Sequence, residues 1–453
     1  MDQPNIILIV LDTLRKDVLP MYGGNAYTPN LNEFANDAVV FPNPIAPAPW
    51  TLPSHVSFFS GLYPSEHKVH EYFNESKKDF ETASYYDGKT IVETLKNKGY
   101  NTLGFTANGV INPNTGLTKS FNYFKIIPWD YFLEEDVNFA IKFFEKEKIK
   151  KINLKNIINN YRDIPELYKR YKSNKYLKLI YNYPMTKGAN LIIEDLFTKN
   201  NISFNSPFFL FLNFVEMHEP YVKWELLKYR IPFWKQYKCV FDLAYNSIPS
   251  KIMNQIREMY LKNLANLDFY LGKIIKFLKE LKQYENTMII ITSDHGQALK
   301  EKNYYTHGLF LYNEIIEVPL IIKFPNNKKI ELKNEYQSLV DIPNLIKNVS
   351  EGNLIDISNE FVFSESYGFH VPLFKIINND KISENLKNKY GIPRKAIYKK
   401  GYKLVVNKFG NIEEFLYKGK EIKPEDNKEV LDDLLDELDI FKGTEKFVVR
   451  KNN

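Results

Sequence analysis

Five short runs of this chain are apolar almost throughout: "NIILIVL" (5–11), "TLGFT" (102–106), "PFFLFLNFV" (207–215), "TMIIITS" (287–293) and "VPLIIKF" (318–324). A strand with one wet face alternates apolar and polar residues, whereas a strand covered on both faces need not. The runs therefore predict central strands of a parallel sheet. Between them the pattern changes period. "DGKTIVETLKNKG" (87–99) and "YLKNLANLDFYLGKIIKFLKELKQ" (260–283) space their apolar residues near 3.6, and the first ends in glycine, a helix stop. Strands alternating with helices predict an α/β fold, an open, mostly parallel central sheet with helices on both faces.

Residues from about 125 to 200 break this rhythm. The stretch "EKEKIKKINLKNIINNYRDIPELYKRYKSNKYLKLIYNYP" is rich in Lys, Asn and Tyr and reads as a helical insertion. A solvated cap is the plain expectation, and a basic-aromatic lid over an anionic substrate or membrane surface is the sharper one. From about 346 onward come short mixed elements, then an acidic helix, "DNKEVLDDLLDELDIF" (426–441). The expected organisation is a catalytic α/β unit over 1–345 and a smaller α+β subdomain over 346–453.

Composition narrows the function classes. With 453 residues, 44% hydrophobic and 26% charged, the chain can bury a large core. A net charge of +6 is compatible with anionic substrates but far from the concentrated basic face of a nucleic-acid binder, and none is expected as a partner. The lone Cys239 excludes an internal disulfide framework and reads as a small, buried or half-buried hydrophobe. The first apolar run is too short for a signal peptide or a membrane span, and no segment approaches 18 apolar residues. Cytoplasmic residence is the default expectation.

In an open parallel sheet, function gathers at the carboxyl ends of the strands. The run 5–11 is followed by Asp12, 102–106 by Asn108, 207–215 by Glu216 and His218, and 287–293 by Asp294 and His295; "THG" places His307 ahead of 318–324. Each residue alone has an ordinary explanation, such as a helix cap or a satisfied histidine. Together Asp12, Asp294 and His295 form an oxygen/oxygen/nitrogen set suited to one divalent cation such as Mn²⁺, Mg²⁺ or Zn²⁺. A Ca²⁺ site would want more oxygens, and the identity stays open among the four.

"TLPSHVSFFSG" (51–61) reads as a short helix with Thr51 near its N-cap and Gly61 as its stop. A hydroxyl there sees the positive end of the helix dipole and free N–H groups, which favour an alkoxide and a bound oxyanion. Beside a cation, which would also take Thr51 as a ligand, that hydroxyl is a candidate nucleophile.

Five blocks, in order, now resemble the sulfatase family of the alkaline phosphatase-like superfamily: "NIILIVLDTLRKD", "PAPWTLPSHVSFFSGLYPSEH", "PFFLFLNFVEMHEPY", "ITSDHGQAL" and "HGLFLYNEIIEVPLII". The match covers most of residues 4–325, with fainter echoes in "SLVDIPNLI" (338–346) and "EEFLY" (413–417). The resemblance implies an alkaline phosphatase-like fold, a divalent metal at Asp12, Asp294 and His295, and a nucleophile at Thr51. Sulfatases carry Cys or Ser there, in C/S-x-P-S-R, converted to formylglycine; Thr51 lacks the primary CH₂ this needs, and His55 replaces the arginine. Thr13 stands at the second acidic position, the Asp-Asn pair is Asp294-His295, and the Gly-Lys-x-His motif is missing near Asn108. His307 stands for the lysine that faces the leaving group. These departures point toward Thr-nucleophile relatives acting on phosphoesters, such as lipoteichoic acid synthases and phosphodiesterases.

The expected activity is therefore metal-dependent hydrolysis or transfer of an anionic small-molecule, glycan or lipid ester, phosphomono- or phosphodiesters before sulfate. Thr51 attacks, His307 or His218 protonates the leaving oxygen, and Asn108, His55 and Glu216 lie on the substrate side, Asn108 holding a non-bridging oxygen. Arg15 supports the Asp12 loop, while His67, His70 and His370 are structural. Two other readings stay open: a sulfatase acting without formylglycine, and an inert binding or regulatory member of the fold.

Overall fold

The computed structural model describes residues 3–70, 85–127, 187–198, 207–219, 250–368 and 391–441. Cys239, His370 and most of the insertion predicted over 125–200 lie outside them. In chain order the strands of the main body are β1 (Asn5–Leu11), β2 (Val39–Val40), β3 (Pro44–Ile45), β4 (Asn101–Thr106), β5 (Tyr123–Ile126), β6 (Phe208–Phe214), β7 (Thr287–Thr292), β8 (Ala298–Leu299), β9 (Tyr305–Thr306) and β10 (Leu320–Lys323). Seven of them build the central sheet, in the order β2-β10-β7-β1-β6-β4-β5. β1 pairs in parallel with β6 and β7, and β4 in parallel with β6 and β5. This is the open, mostly parallel sheet that the apolar runs predict.

One run behaves differently. The segment 318–324 is expected to be parallel, but β10 lies antiparallel to β7 and is followed by the antiparallel two-residue β2. An apolar run of that length reports burial on both faces, not direction. The reversal has a use: the start of β10 reaches the rim where β1 and β7 end, so the segment before it, with His307, arrives there too.

Both faces of the sheet are covered, which is why its strands need no alternation. Ile6, Leu8 and Val10 of β1 enter one apolar core, and Ile7, Ile9 and Leu11 enter the other. On the second face lies the helix Ser250–Glu280. Its Ile256, Tyr260, Leu264, Leu267, Leu271, Ile274 and Leu278, three or four residues apart, form the buried stripe. From that stripe Asp268 caps helix α1 (Pro29–Asp37), accepting the N–H groups of Asn30 at 3.0 Å and Leu31 at 2.8 Å.

On the first face lies α2 (Thr51–Ser60), buried at every residue from Thr51 to Phe59 and closed by Gly61 in the left-handed region at φ 79°. Exposed helices bury one stripe; a helix buried all round is a core element, held by what surrounds it. The helix Ile342–Ser350 packs beside α2 and spans the predicted 345/346 boundary, with Leu345 and Ile346 in the same core.

Beyond it, after β11 (Tyr336–Ser338) and β12 (Ser358–Asn359), comes an antiparallel sheet of β13 (Phe361–Ser366), β14 (Arg394–Lys399), β15 (Tyr402–Asn407), β16 (Ile412–Tyr417) and β17 (Lys420–Glu421). One face of this sheet gives Val362, Ala396 and Val405 to the main core. The other packs on Leu431, Leu434, Leu435 and Leu438 of the helix Lys428–Ile440. Among the described residues no helix is long and apolar enough to cross a membrane.

Candidate active site

The carboxyl ends of β1 and β7 are stitched together just past their last ladder bonds. After Asp12, whose N–H still donates to Phe214 at 2.9 Å, the chain turns sharply with Thr13 at φ 61°. A β-branched residue in the left-handed region is strained and needs support from around it. The Leu14 N–H donates to Ser293 Oγ at 2.9 Å, the Tyr260 hydroxyl donates to the Thr13 carbonyl at 2.8 Å, and the Arg15 N–H donates to Tyr260 at 2.9 Å. The Arg15 side chain is held by Asp17, Glu301 and the Gln297 carbonyl, so it braces this loop, as expected.

Across this seam Asp12, Asp294 and His295, all fully buried, each offer a ligand atom within 4.8 Å of the others. His295 Nε2 lies 3.8 Å from Asp12 Oδ1 and 3.5 Å from Asp294 Oδ2, and neither oxygen has a hydrogen-bond partner. Two ligands about 2.1 Å from a common ion stand roughly 3.0–3.5 Å apart. The tautomer also fits, because His295 Nδ1 donates to the Gly296 carbonyl at 2.9 Å and leaves Nε2 its lone pair. Burial pushes the Asp12 carboxyl up to about 6, with Asp294 adding to the rise, pushes Asp294 up to about 7 and holds the His295 imidazole below its usual range. Two buried carboxyls, each with an unpartnered oxygen, and a neutral imidazole between them have the shape and donor chemistry of a cation site.

Thr51 opens α2 beside this set, one position inside the helix, since Trp50 is the N-cap. Its Oγ1 lies 3.4 Å from His295 Nε2 and 3.4 Å from Asn108 Nδ2. The Ser54 hydroxyl donates to the Asp294 carbonyl at 2.6 Å and pins the helix to the strand end.

The three residues expected on the substrate side take other posts. Asn108 donates to Asp12 Oδ2 at 2.6 Å, and its carbonyl accepts the Val110 N–H at 2.9 Å, so it clamps Asp12 and Thr51 instead of reaching outward. His55 is fully buried behind Thr51. It bonds the Thr51 carbonyl at 2.8 Å, stands 3.5 Å from Asp294 Oδ2 and packs between Phe58 and Phe211, and burial holds it near 3, hence neutral. Glu216, pushed up to about 7 by burial, accepts the Ala189 N–H at 2.8 Å and anchors the helix Ala189–Thr198.

A second wall adjoins this centre, its His307 ring 4.4 Å from that of His295. It brings His307 and His218 together, rings 4.9 Å apart, with two residues that strand-end reading missed, Glu219 and Lys187. Glu219 follows His218 in "EMHEP" and was within view. Lys187 had no signal, because it ends a lysine-rich stretch. It is buried, donates to the His218 carbonyl and is held down to about 8 by burial, against the pull of Glu216, Glu219 and Asp12. His67 and His70 serve packing: His67 bonds Ser57 and the Pro53 carbonyl, and His70 stacks on Tyr367 at 3.8 Å.

The family model described as Sulfatase matches residues 4–346 of this chain, the stretch that carries every residue of the site. The chain belongs to the sulfatase family. Membership makes it an ester hydrolase of the alkaline phosphatase-like superfamily. Among its sulfatase-family relatives, a sulfatase of Formosa agariphila is 25% identical over 391 residues, covering 76% of this chain and 70% of the relative. An arylsulfatase of Clostridium perfringens is 23% identical over 424 residues, covering 81% and 82%. The fold of a phosphonate monoester hydrolase from Silicibacter pomeroyi superposes with a TM-score of 0.64 at 14% identity, over 99% of this chain and 96% of that one.

In this sulfatase-family chain the "SDHG" glycine has a tight seat. A Cβ on Gly296 would lie 2.2 Å from the Glu314 carbonyl oxygen, and the Gly296 N–H donates to Ile315 at 2.6 Å. The backbone cannot move away without dragging Asp294 and His295. Gly296→Ala is expected to destabilise the fold by at least about 2 kcal/mol, measured by urea unfolding. A change below a tenth of that would show the seat to be loose.

Proposed function

We propose that this sulfatase-family enzyme is a divalent-metal-dependent hydrolase, or transferase, of anionic phosphoesters that uses Thr51 as its nucleophile. The observation that carries the reading is the placement of Thr51 Oγ1, 3.4 Å from both His295 and Asn108, beside two buried carboxylate oxygens without partners. Asp12, Asp294 and His295 would hold the cation, with Thr51 beside it; when bound it supplies Lewis-acid neutralisation and a lowered pKa for a coordinated hydroxyl.

The chain's own residues do the rest. Asn108 fixes Asp12 and the hydroxyl in one geometry, and Ser54 and His55 lock the first turn of α2 against the strand end. The Thr51 hydroxyl gives up its proton to solvent and its oxygen attacks phosphorus in line while the first-turn N–H groups face the non-bridging oxygens. The P–O bond to the leaving alcohol breaks toward the wall of His218 and His307, the groups able to neutralise that oxygen. Water, or an acceptor alcohol, then releases the phosphoryl group from threonine.

The sulfatase and arylsulfatase among the relatives favour a second reading, sulfate-ester cleavage by Thr51 as it stands. A panel of an aryl phosphate, a phosphodiester, a phosphonate ester and an aryl sulfate separates the two. Turnover of phosphorus esters above the sulfate, with phosphate trapped on the Thr51 peptide by acid quench and mass spectrometry, is the expected result. Turnover of the sulfate alone would overturn the phosphoester reading.

A further inference from the structure

Away from the ester site, a cavity of about 300 Å³ opens between the α/β body and the hairpins of the C-terminal sheet. That volume is at the lower end for small-molecule pockets. Five charged side chains line it: Lys16, Glu317, Glu335, Lys403 and Lys418. Two of the ammonium groups are already matched. Lys16 pairs with Glu317 at 3.2 Å, and the buried Lys403 pairs with Glu414 at 2.7 Å and donates to Asn313 Oδ1 at 2.7 Å. An ammonium only donates, so the Asn313 carbonyl has to face Lys403; the Tyr398 hydroxyl donates to the same oxygen at 3.1 Å. The Asn313 Nδ2 makes no hydrogen bond among the described residues and stays available to a ligand. What remains is one charge of each sign, Lys418 and Glu335, both exposed and neither in an ion pair among the described residues. The Lys418 N–H donates to the Gly401 carbonyl at 2.8 Å, and the Gly401 N–H donates to the hydroxyl of Tyr336, next to Glu335, at 2.7 Å. Lys418 and Gly419, at φ 48° and 78°, form the tight turn between β16 and β17. Asn or Asp suits the first position of such a turn, and a lysine there is strained. The neighbouring turn makes the same choice with Lys400 and Gly401, at φ 51° and 78°.

We propose that this cavity binds a small zwitterion, its anionic group on Lys418 and the Asn313 amide and its ammonium group on Glu335. Carboxylates in the wall repel a bare anion, and ammonium groups in the same wall repel a bare cation. A molecule carrying both charges meets a partner for each. The rings of Tyr336 and Tyr398, 5.9 Å apart, line the cavity and cover the carbon chain between the two charges. Among the described residues that line it there is none of the ester site. The zwitterion site therefore stands whether or not Thr51 is the nucleophile.

The test separates the charges. The full chain is titrated by isothermal calorimetry with glycine, γ-aminobutyrate and ε-aminocaproate, which hold an ammonium and a carboxylate at increasing separation. Butyrate and butylamine, each with a single charge, are the controls. At least one of the zwitterions is expected to bind with one molecule per chain, about fivefold or more tighter than either control. Lys418→Gln and Glu335→Gln, both at exposed positions, should each weaken that zwitterion about fivefold, with thermal melting showing that each variant folds. Asp294→Asn should bind it as the parent does, because neither an ester nor a cation takes part. No binding of any zwitterion at about 10 mM, or equal binding of butyrate or butylamine, would overturn the proposal. So would parent-like binding by both glutamine variants. Loss of binding in Asp294→Asn overturns it as well, by moving the zwitterion to the ester site.

Discussion

Thr51→Ala should leave the protein folded and lower ester turnover by about a thousandfold or more, the scale on which loss of a catalytic nucleophile is felt. The change removes a hydroxyl and keeps a good helix former at the first position of α2, where the N-cap is Trp50 and no side-chain cap bond exists to lose. Melting temperature is therefore expected to shift little. The same variant should fail to trap phosphate in an acid-quenched reaction. A variant with turnover within tenfold of the parent would show that water, not threonine, attacks.

Asp294→Asn should cost one bound ion per chain, together with the stabilisation that ion confers. At a free cation concentration a thousandfold above Kd that stabilisation is about 4 kcal/mol. In chelator the order should change. Asp294 Oδ2 and Asp12 Oδ1 are both buried without hydrogen-bond partners, and desolvation and mutual repulsion raise Asp12. Replacing one carboxyl by an amide removes a charge that the apoprotein has no means to balance, so the stripped variant should unfold no earlier than the stripped parent. Equal ion content and an equal melting response to added cation would remove Asp294 from the ligand set.

Much of this arrangement was legible in the residues, for identifiable reasons. β1, β4, β6 and β7 are covered on both faces, so their sequences are apolar almost throughout, and the first polar residues after them fall on the working rim. That alone locates Asp12, Asn108, Glu216, His218, Asp294 and His295. α2 announces itself through the Gly61 stop. Direction is not written in so short an apolar run, which is why the antiparallel setting of β10 was missed. Reach is not written either: Asn108 and Glu216 do stand at strand ends, but what their side chains touch depends on Asp12 and on the helix after Lys187. The post of His55 is written in its spacing. Four residues after Thr51 on one helix, its ring meets the preceding turn, so a bond to the Thr51 carbonyl was available from spacing alone. Glu219 carries no mark beyond its place next to His218, and nothing distinguishes Lys187 from the lysines before it.

The place of β1 also bears on how the chain is made. It is synthesised well before its neighbours β6 and β7, which begin about two hundred and two hundred and eighty residues later. At roughly 5–20 residues per second, about a quarter of a minute to a minute passes on the ribosome before both edges of this water-averse strand are paired. A nascent chain in that interval presents an open ribbon to any similar segment nearby. Cells making this enzyme should therefore engage a holding chaperone early, and ribosome-bound fragments that stop before β7 should be the aggregating ones.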